Sequence, residues 1–235
     1  MDLIFERMPA TLELVAVAAC LVLCIAIPLG VYAGAYPKRA SSKLIMSGSI
    51  LGISLPSFWV GMMMIYIFAV VLRLLPASGR GNTVMVGNVA LSIFAPGGIR
   101  YVILPAITLA LTNVATMLRL TRSGILENMR QDYIKFARAK GVPAKSILFG
   151  HALKNALIPV VTIFGMDLGN MIAFTTITET IFAWPGMGKL LIDAINKSDR
   201  PIIVAYLMAA ACMFVVLNFI VDILYTLIDP RIELR

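Results

Sequence analysis

Two stretches of this sequence, residues 14–37 and 44–72, contain no charged side chain at all. Each exceeds the roughly 20 apolar residues that a helix needs to cross about 30 Å of hydrocarbon. Three further stretches come close to the same standard. Residues 101–118 are uncharged and just long enough, 155–178 carry only Asp167, and 201–227 carry only Asp222. Backbone groups in lipid must be satisfied within the segment, and no stretch alternates as a barrel strand would. The runs therefore predict five transmembrane helices in an all-α membrane bundle.

Composition agrees. Of the 235 residues 60% are apolar and 14% charged, against about 45–50% and 25% in soluble domains. A water-soluble globule cannot hide that excess. A secreted enzyme, a nucleic-acid reader and a disordered regulator are thereby excluded. The net charge of +8 has a topological origin instead. Lys38, Arg39 and Lys43 share one short link without an acid, and the 119–154 link holds eight basic residues against two acidic ones. By the positive-inside rule both links are cytoplasmic, and so is the C-terminal tail with Arg231 and Arg235. Alternation then puts the start of the chain outside. Residues 1–11 lack the apolar core of a signal peptide, so the topology predicts a further helix ahead of residue 1.

Inside the spans, Gly30/Gly34, Gly48/Gly52 and Gly165/Gly169 are spaced for close helix approach. Pro28, Pro56, Pro105 and Pro159 weaken the helical ladder and permit kinks. Cys20, Cys24 and Cys212 all fall within spans, which predicts buried, inert thiols. With His151 the lone histidine and no CxxC, metal and triad chemistry are not expected. Asp167 has two readings: a polar group of a pathway together with Asn170 and Asn113, or a hydrogen-bonded structural carboxylate. Asp222, near the cytoplasmic end, is read as structural, with Arg119 or Arg122 as its partner.

Residues 119–154 form the most informative stretch. It is too long for a turn and carries helical periodicity. Ile125, Met129, Ile134, Phe136 and Ala137 can line one stripe among Arg and Lys. Gly141-Val142-Pro143 is a break, since glycine closes a helix in a left-handed conformation and proline opens the next. The pattern predicts a helix, a sharp corner and a second helix that expose apolar residues to a partner. A basic helix lying on the membrane is the alternative.

Here the chain resembles a family. Residues Tyr133, Ile134, Lys135, Phe136, Ala137, Arg138, Ala139, Lys140 and Gly141 are similar to the EAA loop of ABC importer permeases. The form is that of the dipeptide, oligopeptide and nickel subfamily. The run HALKNALIPV from His151, the run ETIFAWPGMG from Glu179, and Asp229-Pro230-Arg231 fit the same subfamily in the same order. The general motif opens Glu-Ala-Ala where this chain has Lys135, Phe136 and Ala137.

The resemblance implies one permease domain over 1–235, with type I ABC importer fold, five spans here and six in the full family, and a coupling loop at 119–154. It implies the membrane-embedded half of a binding-protein-dependent peptide importer in a bacterial or archaeal cell membrane. A second homologous permease, ATPase subunits and an external solute-binding protein are the implied partners. Residues Tyr133 and Phe136 to Gly141 would dock onto the ATPase. Nickel or glutathione transport would use the same motifs. No cofactor is implied, and the chain has no G-x-x-x-x-G-K-[ST] loop of its own. The external links, 76–98 and 179–200, would face the binding protein and form a short scoop at the outer gate. An ion-coupled carrier would need internal repeats and ion ligands, for which only Asp167 is a candidate.

Overall fold

The computed structural model describes residues 2–87 and 89–228, with the side chains of Asp222 and of residues 224–228 excepted. Asp229-Pro230-Arg231, the basic tail and the expected pairing of Asp222 lie outside the described residues. Among the described residues, nine α-helical segments follow one another: α1 Asp2–Ala35, α2 Ala40–Ser54, α3 Ser57–Met64, α4 Ile99–Asn128, α5 Asp132–Ala139, α6 Ala144–Ser146, α7 Leu153–Ile181, α8 Met187–Asn196 and α9 Arg200–Ile228. Two wider π-helical stretches, Ile65–Val71 after α3 and Ile147–Ala152 between α6 and α7, keep those helices continuous. Between α3 and α4 the short strands β1 Val84–Val86 and β2 Val89–Leu91 pair antiparallel, Met85 opposite Ala90. This hairpin is not foreseen by the periodicity of the sequence.

Among the described residues, four helices are long and apolar enough to cross a membrane: Asp2–Ala35, Ile99–Asn128, Ala144–Ile181 and Arg200–Val221. The uncharged stretch 44–72 behaves differently. It is a pair of helices bent by 105° rather than a straight span. Proline disfavours α geometry at the preceding Leu55 and brings no N–H of its own. Pro56 accordingly adopts extended backbone at ψ 135° and accepts the amide of Val60, so that α3 starts afresh. Pro28, Pro105 and Pro159 lie inside unbroken helices.

The chain forms two compact units, and α1, α4, α7 and α9 each contribute to both. One unit comprises residues up to Leu21, Leu55–Leu111 and Leu168–Asn218. Its core holds Leu14, Leu104, Phe182, Trp184 and Met187. Ile4, Met187 and Tyr206 form a second cluster with Leu190, Leu191 and Met213 around α8.

The other unit comprises Val22–Ser54, Thr112–Asp167 and the chain from Phe219 onward. Its core is Val31, Ile125, Ile134, Ile147, Ala152 and Ala156. Here Gly30 and Gly34 bring α1 against α4, with Thr121 and Ile125 where a methyl group would have to go. Gly165 meets Val221 in the same way, and Gly169 of the first unit meets Phe214. Gly48 stands in open space, so its spacing with Gly52 marks no seam of that kind. The three cysteines are exposed, which corrects the expectation of buried thiols. A helix that presents apolar residues all round gives no sign in its sequence of which face turns inward.

Candidate functional site

The long basic link is not a separate appendage at its start. α4 runs straight through Arg119 and Arg122 to Asn128. Its end is closed by Asn128, whose amide donates to Gly124 O at 2.9 Å and whose Oδ1 accepts from the Tyr133 hydroxyl at 2.8 Å. Asn155 at the start of α7 donates to the same hydroxyl at 3.0 Å. Tyr133 thus ties the first turn of α5 to both neighbouring helices. Met129 to Gln131 make the turn, and Gln131 enters α5 from extended backbone. Asp132 stands in the first helical turn, where the N-terminal end of the helix dipole favours a negative charge. Its hydrogen bond from Lys135, 2.8 Å away, holds its carboxyl below the usual carboxylate range.

α5 has only eight residues and is strongly two-sided. Ile134 is fully buried among Ile125, Ile147 and Ala152, and Ala137, one turn on, is half-buried beside it. Everything else on the helix is exposed. The stripe read from the sequence therefore needs one correction: Phe136 is not on the inner face but 62% exposed. The Lys140 ammonium lies over its ring, 4.5 Å from the centroid. Successive positions on a helix are about 100° apart, so Phe136 cannot share the face of Ile134.

The corner after α5 is built as its glycine suggests. Gly141 has φ +78°. The Val142 amide donates back to Ala137 O at 3.1 Å, and the Gly141 amide to Arg138 O at 2.9 Å. This is the paired 6→1 and 5→2 closure of a Schellman cap, with the apolar contact of Val142 that usually accompanies it. Pro143 then takes the position just before α6. The outcome is a short helix held by two side chains and aimed by a rigid corner, with Tyr133, Phe136, Arg138, Ala139 and Lys140 open to a partner.

The second notable arrangement is in the other unit and was missed in the sequence. Glu179, expected at the start of the external link 179–200, is completely buried in the last turn of α7. Thr11 of α1 donates to its Oε1 at 2.6 Å, and the Lys189 amide to its Oε2 at 2.9 Å. The Met187 amide donates in turn to Thr11 Oγ1 at 2.8 Å. The carboxylate and the threonine together satisfy the free amides at the start of α8, which a negative charge also favours electrostatically. Between them the chain turns through Ala183 at φ +46°, and the Trp184 indole donates to Ala10 O at 2.9 Å. The run ETIFAWPGMG is thus a corner, and the link 179–200, where a scoop is expected, holds the amphipathic helix α8.

Glu13 makes a parallel latch. It is buried in α1 and accepts from Arg80 Nε at 2.9 Å, from Arg80 Nη2, and from the amides of Ser92 and Ile93 at 2.6 and 2.7 Å. Arg80 also donates to Ala90 O and lies over the Trp184 ring. The signal available beforehand was the spacing of Thr11 and Glu13 at the head of an apolar run, without any hint of their partners. The expected pathway residues are dispersed in environment. Asp167 and Asn113 are half-buried and engaged in interactions, whereas Asn170 is exposed.

With both geometries in view, the comparisons with known proteins decide the family. The sequence signature described as "binding-protein-dependent transport system inner membrane component" matches residues 26–234. The chain belongs to this family. Relatives of the permease include the oligopeptide transport system permease AppB of Bacillus subtilis, 41% identical over 99% of this chain and 72% of its own length. The di/tripeptide permease DppB of Pseudomonas aeruginosa is 40% identical over 96% and 70%. The dipeptide permease DppB of Escherichia coli is 36% identical over 97% and 71%. Among solved structures, the inward-facing MetNI methionine ABC transporter superimposes with TM-score 0.74 at 15% identity over 97% of both chains. That likeness establishes the type I importer permease fold for this permease, a multi-pass membrane protein of a transport system.

Proposed function

We propose that this permease forms one half of the translocation pathway of an ATP-driven importer of short peptides. A second, homologous permease completes the pathway, and separate subunits hydrolyse ATP. α5 is the element that docks on the ATPase, through Tyr133 and the segment from Phe136 to Gly141. The observation that carries this reading is the construction of α5: Ile134 and Ala137 anchor it while Phe136, with Lys140 over its ring, stays exposed. An isolated membrane domain has no use for such an exposed aromatic on a basic helix. Rigid-body movement of the docked corner would then change access to the pathway. Asp167, Asn170 and Asn113 are its candidate polar residues. The C-terminus lies on the same, cytoplasmic side as α5, in keeping with the basic links. Peptides are the proposed solutes because the relatives named above are peptide permeases.

The test is uptake of a labelled dipeptide by cells that lack their own peptide permeases and carry the complete transporter. Uptake is expected to stop with vanadate and to survive a protonophore while ATP is maintained. Uptake that survives vanadate and collapses with the proton gradient would overturn the reading in favour of an ion-coupled carrier.

A further inference from the structure

The unit that carries α5 has a notch that neither docking nor transport accounts for. It measures about 520 Å³, within the range of small-molecule sites. Ala35 and Tyr36, at the end of α1, form one wall. Lys145, Leu148 and Phe149, at the start of the helix that becomes α7, line the notch too, together with Met129 and Ala144.

Three observations bear on its occupant. First, its depth: the uncharged stretch 14–37 ends beside Ala35 and Tyr36, so this wall of the notch lies where that span leaves the hydrocarbon. Second, its charge: the lining contains Lys145 and no acid, and the Arg39 guanidinium stacks on the Tyr36 ring at 4.1 Å. The flanking residues 36–43 and 140–154 hold six Lys or Arg and no carboxylate (Lys38, Arg39, Lys43, Lys140, Lys145, Lys154). Third, its order: the Tyr32 hydroxyl and Ser41 share a hydrogen bond of 2.8 Å, and Ser42 donates to Tyr36 O at 2.7 Å, so the basic turn is fixed against the end of α1. Beside this polar rim, Leu148 lies half-buried and Phe149 is 52% exposed.

An apolar floor with a fixed basic and aromatic rim, at the level of the headgroups, has the chemistry of a phospholipid site. We propose that the notch binds one anionic phospholipid, with its phosphate between Lys145 and Arg39 and the top of an acyl chain against Leu148 and Phe149. The lipid would brace the end of α1 against the helix that follows the coupling corner.

The complete transporter, reconstituted in phosphatidylcholine nanodiscs containing about one quarter phosphatidylglycerol, provides the test. Lipids retained on release into detergent are counted by native mass spectrometry. The wild type is expected to retain phosphatidylglycerol selectively over phosphatidylcholine. Lys145→Glu and Arg39→Glu should each weaken retention by about fivefold or more, the scale of one basic contact at a charged surface. Lys145→Arg should preserve it, and Ala144→Trp, which fills the notch without changing charge, should abolish it. Equal retention of both lipids, or retention indifferent to all four variants, would overturn the proposal. Displacement of phosphatidylglycerol by millimolar inorganic phosphate would assign the site to free phosphate and also overturn it. If Lys145→Glu keeps its lipid and loses the ATPase instead, the notch is part of the subunit contact and the lipid assignment fails.

Discussion

Thr11 and Glu179, 168 positions apart in sequence, meet through a buried hydrogen bond of 2.6 Å. The other oxygen of Glu179 accepts from the Lys189 amide at 2.9 Å. The pair binds α1 to the start of α8 and explains why an acid is tolerated in the interior of so apolar a chain. Its cost of burial is offset by hydrogen bonds from an amide and a hydroxyl, and by the end of a helix.

Glu179→Ala should leave the Thr11 hydroxyl and the Lys189 amide without an acceptor. Each orphaned donor costs about 1–3 kcal/mol. The purified protein is therefore expected to lose stability by several kcal/mol, read as a lowered Tm, with protease cleavage appearing around Trp184 to Met187. Thr11→Val, which keeps the shape, should cost less than Glu179→Ala. Equal effects would mean that packing, and not the carboxylate, holds the corner.

Glu13 and Arg80 form a buried ion pair with accessory hydrogen bonds. Removing one partner of such a pair typically costs about 3–5 kcal/mol, because the other charge is left behind. Arg80→Met alone should thus be severe, and Glu13→Gln combined with Arg80→Met should recover part of the loss. A thermal-unfolding double-mutant cycle measures that coupling, and strict additivity would show that the pair does not act as one.

Gly141→Val places a β-branched residue at φ +78°, where an L side chain costs about 1–2 kcal/mol. Membrane insertion should be normal and ATPase co-purification and uptake should fall. Gly141→Asn, which tolerates this region better, should retain more uptake than the valine variant.

Ile134→Ala and Phe136→Ala separate anchoring from docking. The first removes a fully buried side chain and should destabilise by about 2–5 kcal/mol. The second removes an exposed ring, for which a change within about 0.5 kcal/mol is expected. Phe136→Ala should nevertheless release the ATPase during purification. An ATPase that stays bound would remove Phe136 from the contact.

Much of the fold is legible in the sequence because hydrocarbon leaves few choices. Uncharged runs of sufficient length mark the helices, and Gly141 marks the corner by its conformational freedom. What is not legible shares one cause: it depends on residues distant in sequence. Glu179 looks like a solvent-exposed acid until Thr11 and the start of α8 are seen beside it. Phe136 and Ile134 are equally apolar, and only the positions of Ile125 and Ile147 decide which of them turns inward. The 105° bend at Leu55-Pro56 was within reach, since a proline there announces weakness, but Pro105 and Pro159 carry the same residue through unbroken helices. The difference lies in what surrounds each proline rather than in the proline itself.

The Glu13 latch also has a bearing on how the chain is made. Its partner Arg80 follows 67 positions later. At about 5–20 residues per second, the ribosome needs about 3 to 13 s to deliver that arginine after Glu13 has been synthesised. During that interval Glu13 lacks Arg80 as its partner and favours water or the headgroup region over hydrocarbon. Because Ser92 and Ile93 also donate to Glu13, the latch closes only once the β1–β2 hairpin has been made, which places this contact among the later ones that α1 forms.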